Sequence, residues 1–545
     1  MMKLKWAACA AAAAALLAVT TGCGGGTQSA NGTPSNATST SGQKTLIFGR
    51  GGDSVTLDPS GSTDDESNMV AEEIYDTLVT YKIGTPELQP DLATSWEPSK
   101  DGMSWTFHLL QGVKFSDGTP FNADAVVFNF QRWGDPKNPY HKGSSFAHYK
   151  SDLGGFYGSP GAIIKDVKKV DDYTVQIDLT HPFAPLPNIL TQVAYSIASP
   201  EAIKKYNGDI SHHPVGTGAF EFVSWTPNDK IVLKKNPNYR TPGLPKLDQL
   251  IFQVIPDNTA RLNALRAGQI DVMEGVNPSD IQSVKSDPNL NLYISPSNNV
   301  GYLAFNTQKK PFDDPRVRQA IAMCIDKKAL IDAYYNGLAD AGVTLLPPKN
   351  WAYDSSIQDY PVDIAKAKQL LAEAGYPNGF DTELWAMPIP RPYMPQPQQI
   401  ATAIQADLAK IGIHAKIVSY DWATYLKKTD SGEHTMCLLG WSAGTWDPTT
   451  FMYTLLDSKN AVPPANNSAF YKNPAVDKLL EQALMVSDQN QRAELYKQAQ
   501  ELVFKDEPYV PLVHSQPVRA GSKRVIGFTP QVTGGPQFTS VDISK

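Results

Sequence analysis

Predicted helices and strands alternate along the second half of the sequence, and this alternation limits the possible folds more than any other feature. Three predicted helices are each followed directly by a glycine, which ends the helix. They run from Pro315 to about Asn336, over Ile364–Ala374 and over Ile400–Ile411. The predicted strands are His414–Tyr420, His434–Trp441 and Tyr509–Val513, with two further helices over residues 475–488 and 490–505. Strands separated by helices favour an α/β architecture with partly parallel sheets.

A β-hairpin is predicted in the first half, where apolar and polar residues alternate through Trp105, Phe107 and Leu109. Val113–Phe115 follows the turn-forming pair Gln111-Gly112 and is expected to be the second strand of the hairpin. The chain has 545 residues, 41% of them hydrophobic, which is enough material for roughly two to four domains.

The amino terminus has the pattern of an export signal. Lys3 and Lys5 precede the apolar run Ala7–Val19, and small residues then lead to Cys23. This predicts a signal peptide over residues 1–22. Its end resembles that of bacterial lipoproteins, in which such a cysteine receives a lipid that holds the protein at the outer face of the membrane. The alternative is ordinary cleavage and release. Residues 23–44 are mainly small and polar, which predicts a flexible linker.

Charge and cysteine content exclude several classes of function. A net charge of −7 without a basic run argues against nucleic-acid binding. No run of eighteen apolar residues follows the leader, so membrane contact is expected through the lipid only. No cofactor motif or metal-ligand cluster is recognised. Only Cys324 and Cys437 belong to the body, and both lie in apolar runs, which favours buried thiols but leaves a disulfide open.

Five runs of the sequence resemble the family 5 extracellular solute-binding proteins of ABC importers, most closely their dipeptide-binding branch. The matches follow one another in order from about residue 45 to the carboxyl terminus. The runs are Gly112–Phe128, His213–Phe220, Tyr302–Ala320, Leu384–Pro388 with Arg391–Tyr393, and Gly432–His434 leading to Gly440-Trp441.

The resemblance implies a periplasmic-binding-protein type II fold of class C, in which two large lobes are joined by a hinge that the chain crosses twice. Domain I would comprise residues 45–78, 197–298 and 516–545, domain II the insertion 79–196, and domain III residues 299–515. A small peptide or related ligand would bind between domains I and III. A membrane permease with its ATPase subunits would recognise the closed form. The chain would act as a monomer and catalyse no reaction.

Arg391 is the strongest single candidate for ligand binding. It falls between Pro390 and Pro392, on an irregular segment typical of ligand loops. A guanidinium can hold a carboxylate through two parallel charge-assisted hydrogen bonds. In the dipeptide branch the matching arginine holds the terminal carboxylate of the peptide, and the resemblance implies this role for Arg391. Tyr393 is expected to line the same pocket.

The segment Gly440–Pro448 departs from the dipeptide branch at one position. The aspartate that anchors the ligand's amino group in that branch corresponds to Gly444. Either another carboxylate replaces it, or the ligand is N-blocked, longer, or an anion without an amine. Asp447 is nearby but is expected to cap the helix that begins at Pro448. The acids considered as replacements are Asp53, Asp64, Asp65 and Glu66 of domain I.

The aromatic residues of this segment are candidates for the walls of the ligand pocket. For Trp441 the sequence leaves a cleft wall and core packing equally open. Trp446 lies in a loop and is expected to face the cleft. Ser442 lies beside Trp441 and is a further candidate for contact with the ligand.

Ser442 also gives an alternative function. The run Gly440–Gly444 matches the G-x-S-x-G pattern of hydrolases, and Asp447 and His514 follow it in the order of a catalytic triad. The helix signal comes five residues after the serine, which is too late for a nucleophile elbow, so binding is favoured over hydrolysis. A binding module that serves a sensor instead of a permease is the second alternative.

Overall fold

The structure, a computed structural model, describes residues 42–531, 533 and 535–544, so Cys23, the predicted signal peptide and most of the predicted linker lie outside the described residues. Within this range, none of the helices combines the length and the apolar character that a bilayer crossing requires. The described part of the chain is built around three sheets of four or more strands.

The first sheet has seven strands taken from distant parts of the chain. Thr45–Arg50 runs parallel to both of its neighbours, and the other pairs are antiparallel. In spatial order the strands are Leu290–Ile294, Val518–Ser522, Val272–Glu274, Thr45–Arg50, Gln249–Val254, Lys230–Lys235 and Phe220–Thr226. The same parts of the chain contribute the helices Asp65–Ile74, Pro200–Lys205, Asn258–Arg266 and Ile281–Ser286.

The second sheet is antiparallel and has four strands. In spatial order they are Ala93–Pro98, Ser104–Leu109, Thr174–Leu179 and Ile164–Asp171. The same part of the chain forms the helices Ala123–Gly134, Ala147–Asp152 and Leu186–Ile189. The apolar residues of Ser104–Leu109 alternate as predicted and are buried. The predicted hairpin is wrong, because this strand pairs on both edges with other strands of the sheet and not with Val113–Phe115. Phe115 N instead donates to Thr119 O at 2.9 Å, so the segment folds back on the residues that follow it.

The third sheet has six strands and holds the largest apolar core. In spatial order they are Ala339–Ala341, Tyr509–Ser515, Asn299–Phe305, Met436–Ser442, Phe380–Trp385 and Ile413–Val418. All seven residues of Asn299–Phe305 and of Tyr509–Ser515 are buried, as expected of strands covered on both faces. The helices of this part are Pro315–Cys324, Lys327–Tyr334, Ile364–Glu373, Pro397–Lys410, Trp422–Asp430, Thr449–Leu456, Pro474–Met485 and Gln489–Asp506.

The helices and strands predicted in this second half are all present, with one exception. Within residues 299–515 the structure adds one α-helix, Trp422–Asp430, and three strands that were not predicted, Asn299–Phe305, Ala339–Ala341 and Phe380–Trp385. The helix expected from Pro315 to about Asn336 is two helices, which break at Ile325-Asp326. Asp326 causes the break because its carboxylate caps the second helix, accepting a hydrogen bond from Ala329 N at 2.9 Å. A capping residue such as Asp326 within a predicted helix therefore indicates that one helix ends and another begins. The glycine at the far end of the pattern does not show this.

Cys324 and Cys437 are both fully buried and both free. The prediction of two buried thiols is confirmed and the alternative of a disulfide between them is excluded. Burial raises the pKa of both thiols well above the ordinary value, because the thiolate would be desolvated. Neither cysteine is set up as a nucleophile.

Candidate ligand-binding site

Two short crossings connect the first sheet to the third. Residues 295–298 form one and residues 516–517 the other, each between a strand of the first sheet and a strand of the third. The crossings are bonded to each other, since Ser295 N donates to Pro517 O at 2.9 Å. Paired short connections of this kind are suited to act as a hinge between two lobes.

A cleft of about 650 Å³ lies beside these crossings, with walls from both sheets. Its volume falls in the range of roughly 300–1,000 Å³ that is typical of sites for small ligands. Charged and amide side chains contribute to its lining, among them Asp65, Glu274, Asn298, Arg391 and Arg519, together with Ser442. Of the residues predicted to bind ligand, Arg391 and Ser442 therefore line the cleft.

Arg391 presents its guanidinium to the cleft without a partner that neutralises it. Its backbone forms a tight turn, with N–H and C=O bonded to those of Met394 at 3.0 and 2.9 Å. The guanidinium carbon lies 4.6 Å from the ring centre of Trp422, and no ion pair or side-chain hydrogen bond to another described residue is present. Stacking on an indole orients the guanidinium while leaving its N–H groups free for a ligand carboxylate.

Tyr393 is placed differently from the prediction. It is buried in the core of the third sheet and does not line the cleft, because its ring fills the space above Gly440. A Cβ atom at Gly440 would lie 2.2 Å from this ring. Tyr393 O accepts a hydrogen bond from Tyr335 Oη at 3.0 Å. Tyr393 therefore supports the Arg391 turn from behind, and its own burial raises its pKa to about 12.

Residues 443–445 form a loop that is held against the first crossing. Asn298 Nδ2 donates to the carbonyls of Ala443 and Thr445 at 2.8 and 3.2 Å. Gly444 is exposed on this loop, and a Cβ atom there would lie 2.7 Å from Gln192 Oε1. Gly444 therefore faces the neutral side-chain amide of Gln192.

The two tryptophans flanking this loop are not part of the cleft lining. Trp446 is fully buried against Tyr81 and Leu88, so the expectation that it faces the cleft is wrong. The reason is a long-range contact, since Trp446 N donates to Tyr81 Oη at 3.0 Å and draws the loop inward. Trp441 is half-buried and packs against the core of the third sheet, which corresponds to the core-packing alternative.

Asp447 is also withdrawn from the cleft. Its carboxylate receives two hydrogen bonds from Arg492, Oδ1 from Nη2 at 2.7 Å and Oδ2 from Nη1 at 2.8 Å, and both side chains are buried. Oδ1 also accepts from Thr449 N at 3.0 Å, so Asp447 bonds the first turn of helix Thr449–Leu456, which begins one residue later than predicted and has Pro448 as its N-cap residue. With its lone pairs engaged in this way, Asp447 has little capacity to bind a ligand amine.

Among the four acids considered as amine anchors, the structure separates Asp65 from the others. Asp53 accepts from Arg50, from Trp225 Nε1 and from a backbone N–H. Asp64 caps the helix Asp65–Ile74. Glu66 lies beside Arg50, and burial together with the nearby Glu274 raises its pKa, which disfavours the charged form that an amine anchor needs. Asp65 is exposed, lines the cleft and forms no hydrogen bond or ion pair with the other described residues.

Comparison with known proteins identifies this arrangement. Residues 87–462, more than half of the chain, match the profile of the middle region of the bacterial extracellular solute-binding proteins, family 5. The chain belongs to this family.

The relatives of this family 5 protein resemble it over nearly their whole length. The dipeptide-binding protein of Escherichia coli is 40% identical over 92% of this chain and 95% of its own length. Heme-binding protein A of Haemophilus influenzae is 41% identical over 87% of this chain and 88% of its own length. The periplasmic binding protein DppA of Helicobacter pylori, solved in complex with the peptide STSA, is 39% identical, with a TM-score of 0.75 over 92% of this chain and 98% of its own.

As a member of this family the chain is a solute-binding protein of the type II fold and not an enzyme. The hydrolase alternative fails in the geometry as well. Ser442 ends a strand and pairs with Asn299, whereas Asp447 is bonded to Arg492. His514 has its two ring nitrogens 2.8 and 3.1 Å from the backbone carbonyls of Asn299 and Thr344. The residues of the supposed triad are therefore each engaged elsewhere.

Three charged residues of the cleft are absent from the sequence-based set of candidates: Arg261, Glu274 and Arg519. Glu274 and Arg519 are opposite each other on neighbouring antiparallel strands of the first sheet. Their strands are separated by more than 240 residues along the chain, and neither residue lies in a recognisable motif. Only the assembled sheet brings them to the same wall of the cleft.

Proposed function

We propose that this family 5 protein is the lipid-anchored substrate-binding component of an ABC importer for short peptides. Its ligand would bind in the cleft, with the terminal carboxylate held by Arg391, and be delivered to a membrane permease with its ATPase subunits. The observation that carries the proposal is the unpaired guanidinium of Arg391 on the cleft wall, stacked on Trp422. The peptide named in the solved complex of the Helicobacter pylori relative is consistent with this ligand class.

Hinge closure would couple binding to delivery. We assign the moving parts to domain I, residues 45–78, 197–298 and 516–545, and to domain III, residues 299–515, with domain II as the insertion 79–196. The cleft has walls from domains I and III, and the Asn336 side chain donates to the carbonyl of Pro278 between them. A ligand that contacts both lobes at once stabilises the closed form by its differential affinity for that form.

The anchor is the second part of this proposal. The leader over residues 1–22 would be removed, and Cys23 would carry the lipid at the outer face of the cell membrane. The small polar residues 23–44 would then separate the body from the bilayer by roughly 25 Å. Mass spectrometry of the amino-terminal fragment of membrane-extracted protein tests this directly. A fragment that starts at Cys23 with a bound diacylglycerol is expected, and an unmodified fragment contradicts the anchor.

Calorimetry with Arg391→Gln tests the peptide-binding proposal. The mature protein, unfolded and refolded to remove any carried ligand, is titrated with free dipeptides. We expect the variant to bind about 30-fold more weakly or worse, because charge-assisted hydrogen bonds to a carboxylate contribute about 2 kcal/mol. Glutamine keeps much of the size of the side chain and removes its charge.

Arg316→Gln provides the matched control. Arg316 also lies in domain III but is exposed and paired with Asp314, away from the cleft. Its substitution is expected to leave affinity unchanged. Equal affinities in the wild type and in Arg391→Gln would contradict the carboxylate-binding role, and absence of peptide binding in the wild type would contradict the proposed function.

A further inference from the structure

Arg519 is a second arginine that faces the cleft without a carboxylate partner. Its Nη1 donates to Ser295 Oγ at 3.2 Å, and its Nε is buried without a hydrogen-bond partner among the described residues. No carboxylate oxygen in the described part of the chain lies within 4.0 Å of its guanidinium. A guanidinium has five N–H groups, so a partly enclosed one with a single such bond is under-satisfied. Burial accordingly lowers the pKa of Arg519.

Glu274, the acid opposite Arg519 in the sheet, is bonded to a backbone N–H and not to Arg519. Glu274 pairs with Arg519 across neighbouring strands, so both side chains lie on the same face. Glu274 Oε1 accepts a hydrogen bond from Gly51 N at 2.8 Å, which holds the carboxylate toward the loop after the first strand. The positive charge of Arg519 is thus left available on the wall of domain I.

Asp65 supplies the opposite charge on the same wall. Partial desolvation by the surrounding cleft walls raises the pKa of Asp65, although its side chain still reaches solvent. Glu274 and Asp64 add to this effect, whereas the positive charges of Arg519 and Arg391 oppose it. Asp65, Arg391 and Arg519 line the same cleft.

Two further charged residues of domain I line the cleft and are already engaged: Glu274 accepts from Gly51 N, and Arg261 donates to backbone carbonyls and to Asn258 Oδ1. Asp65 and Arg519 are therefore the anion and the cation that domain I offers to a ligand, while domain III presents the cation Arg391. This charge pattern has room for two ligand carboxylates and one ligand amine.

We infer that the preferred ligand is a peptide with a second carboxylate close to its free amino group. Its terminal carboxylate would bind Arg391, its ammonium Asp65, and its second carboxylate Arg519. An amino-terminal aspartate or glutamate, or a γ-glutamyl residue with its free α-amino and α-carboxylate groups, has this chemistry. The inference rests on the proposed function and names the substrate class of the same cleft. It also explains how the amine is received although Gly444 replaces the aspartate of the dipeptide branch.

Titration with three dipeptides of similar size tests the inference. Glu-Ala and γ-Glu-Ala carry the second carboxylate, and Gln-Ala carries an amide in its place. We expect the refolded mature protein to bind at least one of the two acidic peptides at least 10-fold more tightly than Gln-Ala. Which of the two binds more tightly distinguishes an α-linked ligand from a γ-linked one. In Arg519→Gln this preference is expected to fall below 3-fold, with the affinity for Gln-Ala little changed.

Arg519→Lys keeps the charge but not the planar fork, and it is expected to keep part of the preference. Equal binding of Gln-Ala and both acidic peptides by the wild type, or a preference that survives in Arg519→Gln, overturns the inference. The wild-type ranking needs no variant, so it decides the question even if Arg519→Gln is unstable. If Gln-Ala binds in an Arg391-dependent way without any preference, the proposed function stands and only this inference fails. If none of the peptides binds, both fail.

Discussion

Asp447→Ala is expected to lower the free energy of unfolding by about 3–5 kcal/mol, because it leaves the Arg492 guanidinium buried without its counter-charge. The Asp447 carboxylate has no solvent exposure and the Arg492 side chain is 5% exposed. The pair also links distant segments, since Asn188 Nδ2 donates to Asp447 Oδ2 at 3.2 Å and Arg492 Nε donates to Ala483 O at 2.9 Å. Urea titration followed by tryptophan fluorescence measures the loss.

The double variant Asp447→Leu with Arg492→Met is the control for this prediction. Removing both charges together leaves no unpaired buried ion, so the double variant is expected to be more stable than Asp447→Ala. A double variant that is no more stable than Asp447→Ala contradicts an uncompensated charge as the cause. If Asp447 instead contacted the ligand, its substitution would reduce affinity while leaving the urea midpoint in place.

The sequence was sufficient for the elements whose signals are local. The starts of helices Ile364–Glu373 and Pro315–Cys324 are of this kind: Asp363 and Asp314 cap them through their carboxylates, which requires no distant partner. Three of the six strands of the third sheet were predicted, and two of these, Met436–Ser442 and Tyr509–Ser515, are apolar runs of the kind that buried strands form. The pairing of Ser104–Leu109 with Val113–Phe115 was wrong because the preceding strand Ala93–Pro98 takes one edge, and the other edge is taken by Thr174–Leu179, which lies 65 or more positions away.

A residue of the candidate site could be predicted only where a short stretch of sequence around it was enough to identify it. Arg391 lies between two prolines, and this local rigidity together with the family resemblance was enough to select it. Trp446 and Tyr393 were misplaced because their environments are set by Tyr81 and Gly440, which no local pattern connects to them. Arg519 and Trp422 were missed for the same reason. The cleft has walls from two sheets whose strands are far apart in the sequence, so its charge pattern arises only in the folded chain.

His434 is expected to make the protein sensitive to acid between about pH 6.5 and pH 4. Its ring is fully buried, with Nε2 2.9 Å from Ser468 O and with Nδ1 lacking a hydrogen-bond partner among the described residues. Burial lowers the pKa of His434 to about 4. The positive charge of Lys309 contributes to this lowering of the pKa, whereas the hydrogen bond to the Ser468 carbonyl opposes it. The folded state therefore binds fewer protons than the unfolded state in this window, and stability falls as the pH falls from the unfolded pKa to the folded one.

The size of the effect follows from the shift. A pKa lowered from 6.5 to about 4 costs about 3 kcal/mol once the pH is below both values. His434→Gln removes the titrating group and keeps an N–H donor for the Ser468 carbonyl. Between pH 7 and pH 4 the wild type is therefore expected to lose about 3 kcal/mol more stability than His434→Gln, measured by urea titration at each pH. The exposed His181, replaced by Gln, is the control, and this variant should follow the wild type. If His434→Gln loses as much stability as the wild type over this range, His434 is not the acid-sensitive group.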